Sequence, residues 1–367
     1  MEKRLIDRWG SQWIAHLTDG GGDGPFKVAA YSHQTGITFV PNPNYYGRQP
    51  QLRQVLFEFY SNDQTAYDAY ETGQLDYTTV PAAYLVADGR KPDVHRVPLL
   101  NITYFQMNYL IKPFDDIKIR QAFALALDKD QIVHYLQKDQ NIPTNHIVPQ
   151  GQPGYNPNLA GPAGVVSTHG DPALARMLLL QGIRDEGWSS ISQIPAIELT
   201  YSTDEQFISV MIQRWQTILG ITVKANHIEA VQEYDQLAKT TNNKDGLQFW
   251  RISWSADYPD PQDWTTLQFG NGSPENFSNY GENQSTNAAE QMQVQQQLEA
   301  ADLMQNPTVR YKAYNDLEQK LVDDVAWLPL WQENDVYRLK PYIVGFVENS
   351  IQEPPPDDWT NIYIAAH

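Results

Sequence analysis

The chain has 367 residues, 41% hydrophobic and 12% aromatic, long enough for two lobes and apolar enough to pack their cores. Its formal net charge of −18 argues against nucleic acid and anionic membrane surfaces as partners, and favours a cationic or amine-bearing ligand at long range. It has no cysteine, which excludes thiol catalysis, thiolate metal sites and disulfides.

No apolar run reaches the length of a membrane span, and the opening residues, Met1 to Asp7, contain no hydrophobic signal region. The chain is expected either to be cytosolic or to lack its N-terminal part. Residues 2–15 carry Leu5, Ile6, Trp9, Trp13 and Ile14 and read as a short helix. The glycine run at 19–25 reads as a flexible turn, since no Gly-Lys-Ser/Thr follows and Pro25 leads into a strand. A hairpin at 26–30 and 36–40, a strand at 54–60, a helix at 62–72 closed by Gly73 and an extended piece at 75–77 follow as α/β units.

A strand at 102–108 precedes a turn at 112–116, where Asp116 is placed to cap a helix over 117–127. A second helix covers 129–136. The Gly-, Pro- and Asn-rich stretch 146–164 reads as a long ordered loop anchored by Ile147, Val148 and Tyr155. Asp171-Pro172 opens a helix through 181. Strands at 197–201, 221–226 and 247–254 then alternate with helices at 205–219 and 231–237, which predicts a largely parallel sheet flanked by helices. The polar segment 271–287 reads as a surface excursion, helices span 288–303 and 307–322, and the glutamines of 291–297 read as a solvated helix. Strand-like pieces at 327–331 and 337–339, a rigid spacer at 353–356 and a last strand at 360–365 complete the chain.

The stretch 250–264 gathers Arg251, Asp257 and the tryptophans 250, 254 and 264 at one strand end, where Pro259 and Pro261 interrupt the ladder. Two readings stand. Aromatic walls and one orienting carboxylate suit a ligand; an ordinary aromatic strand end with Asp257 capping the turn needs none. Asp257, Asp260 and Asp263 recur every third residue, without the alternation or central glycine of a calcium loop. The eight histidines form no zinc motif, and there is no Gly-x-Ser-x-Gly elbow. No catalytic residue, metal or cofactor is expected from these motifs, although acidic pairs could serve a glycosidase, so a carbohydrate-active enzyme stays open as a reading.

At several places the residues resemble a known family. Gly24-Pro25-Phe26-Lys27-Val28 with Pro43-Asn44-Tyr45-Tyr46, Asn108 through Phe114-Asp115-Asp116-Ile117 to Ala122, Ala126 to Asp130, and Val148-Pro149 with Pro153-Gly154-Tyr155 run in family order. With Trp254-Ser255-Ala256-Asp257-Tyr258-Pro259-Asp260-Pro261, they make the chain similar to the C-terminal two-thirds of an extracytoplasmic solute-binding protein of the dipeptide/oligopeptide-binding family, the receptors of peptide ABC importers.

That resemblance implies an α/β, two-lobed periplasmic-binding-protein-like (type II) fold closing on its ligand, with the N-terminal portion of lobe I missing. Lobe I would comprise 1–103 and 332–367, and lobe II 104–331. It implies an oligopeptide ligand and an importer permease as partners, and membrane association only through a missing N-terminal anchor. Asp257 would receive the peptide ammonium. Trp254 and Ser255 would bound the first side-chain pocket, and the backbone from Ser253 to Ser255 would pair with the peptide as an added strand. Arg251 stands where the family places an arginine near the lower pocket, able to meet a carboxylate; a structural ion pair is its other reading. The segment 201–207 is acidic and apolar where some tripeptide binders offer a basic residue. Trp331 would line the cleft or sit in plain core. The alternative function is a receptor of the same fold for an oligosaccharide or another small solute, with the tryptophans as stacking platforms.

Overall fold

The computed structural model describes residues 3–20, 22–203, 205–352 and 355–366. The chain divides into two units, one formed by Met1–Val97 and Asp335–His367, the other by the continuous stretch Pro98–Asn334.

In the first unit, helix α1 (Lys3–Trp9) runs on as a 3-10 helix over Gly10–Asp19, so the expected helix changes pitch at Gly10. Strands β1 (Phe26–Ser32) and β2 (Gly36–Pro41) form the expected antiparallel hairpin, and β3 (Val55–Glu58) pairs with β2. Helix α2 (Asp63–Glu71) starts where the Asn62 side chain accepts the Thr65 N–H and stops before Gly73, whose φ of 77° suits a residue without Cβ. Strand β4 (Tyr77–Thr79) and helix α3 (Leu85–Asp88) follow. Tyr67, Val80, Leu85 and Val336 make an apolar core. Beside it the buried Arg338 donates to Asp93 and Glu71 and lies 4.6 Å over the Tyr70 ring.

Strand β5 (Val94–Met107) carries the chain into the second unit. Helices α4 (Ile117–Leu125) and α5 (Lys129–Gln137) are capped by Asp116 and Asp128, and β6 (Ile142–Pro143) follows. Helix α6 (Pro172–Asp185) starts at the Asp171 cap. It continues through Gly182, because a Cβ there would come within 2.7 Å of Ile119 and Asp116; this glycine is a close-packing position of α6 on α4 rather than a stop. Strand β7 (Ile197–Tyr201), helix α7 (Glu205–Leu219), strand β8 (Val223–His227), helix α8 (Ala230–Ala238) and strand β9 (Phe249–Ser255) form the alternating region. Short helices α9 (Pro261–Trp264) and α10 (Thr266–Phe269) precede the long pair α11 (Ala288–Asp302) and α12 (Pro307–Asp323).

Strand β10 (Leu328–Leu339) joins the two strand-like pieces expected at 327–331 and 337–339. The sheet of the second unit runs β10-β5-β9-β7-β8. It is mixed rather than largely parallel: β7 is parallel to β8 and β9, but β9 is antiparallel to β5. The alternation of strand and helix specifies only the β7–β9 part; β5 enters from outside that succession. Phe105, Phe114, Phe123, Trp215 and Phe249 pack on it with ring centroids 5.2–5.9 Å apart in contacting pairs, each buried aromatic supplying about 2 kcal/mol from apolar burial. Past Asn334 the end of β10 pairs with β4 in the first unit, and β11 (Ile343–Val344) with β12 (Tyr363–Ile364) closes the chain. The strand expected at 360–365 is only those last two residues, because residues to Asn361 form a 3-10 turn. Glu353 and Pro354 of the expected spacer lie outside the described residues.

Two further expectations are overturned. The segment 271–287 is no surface excursion: Asn276, Ser278, Asn279 and Tyr280 are fully buried, and Phe277 packs with Leu237 and Trp250. Its polarity serves internal hydrogen bonds, with Asn279 Nδ2 donating to Asn108 and Asn276 Nδ2 to the Tyr280 carbonyl. Likewise Gln291 and Gln295 are buried on α11, where Gln295 Nε2 donates to the Phe269 and Tyr280 carbonyls at 2.9 and 2.7 Å. The long loop after β6 is anchored as expected by Ile147 and Val148, both of whose amides donate to the buried Glu318.

Candidate ligand site at the end of the central strand

Strand β9 grows more exposed toward its end. Trp250 points into the core, while Arg251, Ser253 and Trp254 are half-buried and Ser255 is exposed. Against β5, Ser255 faces Asn101, Trp254 faces Ile102 and Ser253 faces Thr103. The last rung is tied twice: Asn101 Nδ2 donates to Ser255 Oγ at 2.7 Å, and the Ala256 N–H to the Leu100 carbonyl at 2.9 Å. The chain then turns. Pro261 takes the first position of α9, and Asp260 is its N-cap, accepting the Gln262 N–H at 2.9 Å. The cap is therefore Asp260, and the reading of Asp257 as the turn's capping residue is corrected.

The three aspartates of this turn part company. Asp260 is gripped by both terminal nitrogens of Arg310 at 2.6 and 2.7 Å; burial opposes its charge, but the guanidinium holds its carboxyl below the usual range. Asp263 is fully buried, and its Oδ2 accepts the Trp254 indole N–H at 3.1 Å. Burial pushes its carboxyl up to about 6, against the Trp254 hydrogen bond and with the charge of Asp257 adding. Asp257 is exposed and makes no side-chain hydrogen bond among the described residues.

Arg251 donates to Thr203 Oγ1 at 3.1 Å. Of the segment 201–207, Asp204 lies outside the described residues, Ser202 donates to Glu233, and Phe207 is buried. Trp331 is buried on β10, edge-on to Phe207 at 4.9 Å, and borders a cavity of about 170 Å³ lined also by Leu136, Gln137 and Gln206. The structure thus gathers Ser253, Trp254, Ser255 and Asp257 at one strand end, and sets Trp331 with the Phe207 cavity. The role of Asp263 and the cavity residues were missed in the sequence. Trp254 gave no sign of its partner there, since an i, i+9 pair across a turn has no periodic signal.

One cluster has metal-ligand character: Asp128, Asp130 and His169 place ligand atoms within 4.8 Å of one another. Two of these groups have local work already, Asp128 as the cap of α5 and Asp130 as acceptor from Thr168 Oγ1.

The fold is α/β, of the two-lobed periplasmic-binding-protein class (type II). The chain belongs to the bacterial extracellular solute-binding proteins, family 5, whose middle-region model matches residues 17–276. It is 25% identical over 351 residues to the dipeptide-binding protein DppE of Bacillus subtilis, covering 94% of this chain and 61% of that one. It is 24% identical over 377 residues to the periplasmic oligopeptide-binding protein OppA of Salmonella typhimurium, covering 100% and 64%. The structure of the Escherichia coli murein tripeptide binding protein MppA superposes with a TM-score of 0.72 at 21% identity, covering 100% of this chain and 69% of that one. The chain spans about half to two thirds of the length of the curated relatives it matches, with 61%, 46% and 47% of three of them covered.

Proposed function

We propose that this chain is the ligand-binding component of an extracytoplasmic ABC importer for oligopeptides, binding without turnover and delivering its ligand to a permease. The observation that carries this reading is the division of labour among the three aspartates. Asp260 is neutralised by Arg310 and Asp263 is occupied by Trp254, while Asp257 stands exposed at the strand end. A peptide ammonium is the charge that an exposed carboxylate beside a half-buried indole suits. Ser253, Trp254 and Ser255 then supply main-chain pairing and a first side-chain wall, and Arg251 a donor for a carboxylate. Trp331 with its cavity supplies an apolar wall further along. The membership of the family and the names of its relatives support a solute receptor.

Calorimetry with free and N-acetylated peptides tests this reading. Free peptides are expected to bind, and acetylated ones to bind at least tenfold more weakly, the ammonium pair being worth about 1.5–3 kcal/mol. Asp257→Asn should reduce binding of the free peptide by a similar factor and leave the acetylated one nearly unchanged. Equal affinities for the two peptides would remove Asp257 from the site and favour an oligosaccharide or other solute.

A further inference from the structure

The buried acid beneath this site has a geometry that a mere core residue does not need. Asp263 Oδ2 holds the Trp254 indole N–H at 3.1 Å, and the Asp257 backbone N–H also favours its ionised form. Its Oδ1 has no well-aligned hydrogen-bond partner among the described residues, and the carboxyl is fully buried. A buried carboxylate with one unsatisfied oxygen is costly unless something offsets it. The charges of the turn do not offset it: Asp257 and Asp260 both raise its proton affinity. An asparagine would keep the indole bond at less cost, so negative charge is what the aspartate adds at this position.

We propose that Asp263 is a positioning residue of the binding site, which fixes the Trp254 indole and contributes a second negative charge behind Asp257 toward a cationic ligand group. This rests on the reading of Asp257 as the ammonium acceptor. The groups facing Asp263 are, from the turn, Asp257, Tyr258 and Asp260, and, from α10, Gln268, which donates to the Asp263 backbone carbonyl; beyond them, Asp302 acts on Tyr258 and Arg310 holds Asp260. Among the described residues, the carboxylate that Arg310 pairs with is Asp260. The cation that relieves Asp263 is then the ligand's own.

A consequence follows in proton terms. Asp263 binds its proton near pH 6, within reach of ordinary buffers. An incoming ammonium favours the ionised form, so ligand binding at acid pH releases a proton, and affinity falls as the pH drops from about 7.5 to about 5. Acetylated peptides lack the charge and should show no such slope.

The test combines two measurements on the whole chain. In the ligand-free protein, the Trp254 indole N–H resonance, assigned by its loss in Trp254→Phe, should shift with pH with a midpoint near 6, and should not titrate in Asp263→Asn. In calorimetry, free-peptide affinity should fall about fivefold between the two pH values in the unmodified protein and stay flat in Asp263→Asn, one screened charge a few ångströms away being of this size. An indole resonance that ignores pH, or parallel pH profiles for the two proteins, overturns the proposal. Equal binding of free and acetylated peptides at every pH instead overturns the reading of Asp257, while the indole titration still reports on Asp263. Should Asp263→Asn not fold, the unmodified protein's indole titration and pH profile decide alone.

Discussion

Asn279 offers the sharpest test of the buried polar region. It is fully buried with φ of 58°. Its Oδ1 accepts the Asn242 N–H at 2.5 Å, and its Nδ2 donates to Asn108 Oδ1 at 2.8 Å and to the Thr240 carbonyl at 3.2 Å. Alanine strands the Asn242 N–H at a cost of about 1–3 kcal/mol. The two acceptors keep other donors, Leu110 N–H on Asn108 and Asn243 N–H on Thr240, so each loses only the net worth of a bond, about 0.5–1.5 kcal/mol. Alanine in the left-handed region adds about 1 kcal/mol. The sum is about 5 kcal/mol, against a few tenths for a surface asparagine. Glycine loses the same hydrogen bonds without the backbone strain, so Asn279→Gly should recover about 1 kcal/mol. Urea unfolding followed by tryptophan fluorescence measures both, with exchange of the Asn242 amide reporting the site itself. An alanine cost below about 1 kcal/mol would show that the segment is solvated after all.

Two further predictions use titrating groups. Arg310→Met leaves Asp260 without its partner and should cost about 2 kcal/mol at neutral pH; because the folded Asp260 carboxyl is held low, the difference from the unmodified protein should vanish as the pH falls through its titration, read by urea midpoints at several pH values. Among the described residues, buried Lys129 donates to the Thr144 carbonyl and Asn145 Oδ1, and burial lowers its ammonium to about 7 against the raising charge of Asp130. Between about 7 and about 10 the unfolded chain binds a proton that the folded one does not, so the stability of the unmodified protein relative to Lys129→Met should rise with pH across that window; a flat difference would place the amine in water.

The periodic parts of this fold were legible before the structure. Asn62, Asp116 and Asp171 announce helix starts because a cap needs only a local oxygen three residues from an amide. The paired prolines announce the end of β9 for a similarly local reason. What escaped depends on long-range partners. Asn276 and Asn279 look like loop asparagines, since an amide satisfied by Asn108 reads the same in sequence as one satisfied by water. Gly182 looks like a helix end, and only the approach of Ile119 and Asp116 shows why it stays inside. In the site, Asp257, Asp260 and Asp263 are equivalent in sequence, and their roles separate only when Arg310, fifty positions on, and the Trp254 indole take one each. The first half of β5, Val94 to Asn101, was missed because Pro98 sits in its apolar run and the polar His95 and Arg96 precede it.

The second unit is one continuous stretch, while the first is made of two pieces that flank it. During synthesis, β4 therefore leaves the ribosome long before Tyr337–Leu339, the residues it pairs with. Until those emerge, β4 has no partner, although β1, β2 and β3 already complete a sheet of their own. The second unit meets no such delay, being whole once Asn334 has been made. Its folding draws its own two ends together, with Gln332 Nε2 donating to the Leu99 carbonyl at 2.8 Å. The loop that β4 must close is then no longer the full intervening chain but the short span left outside a finished body, and the entropic cost of completing the first unit falls accordingly. Order of emergence and order of folding are thus inverted: the piece made first is the piece completed last.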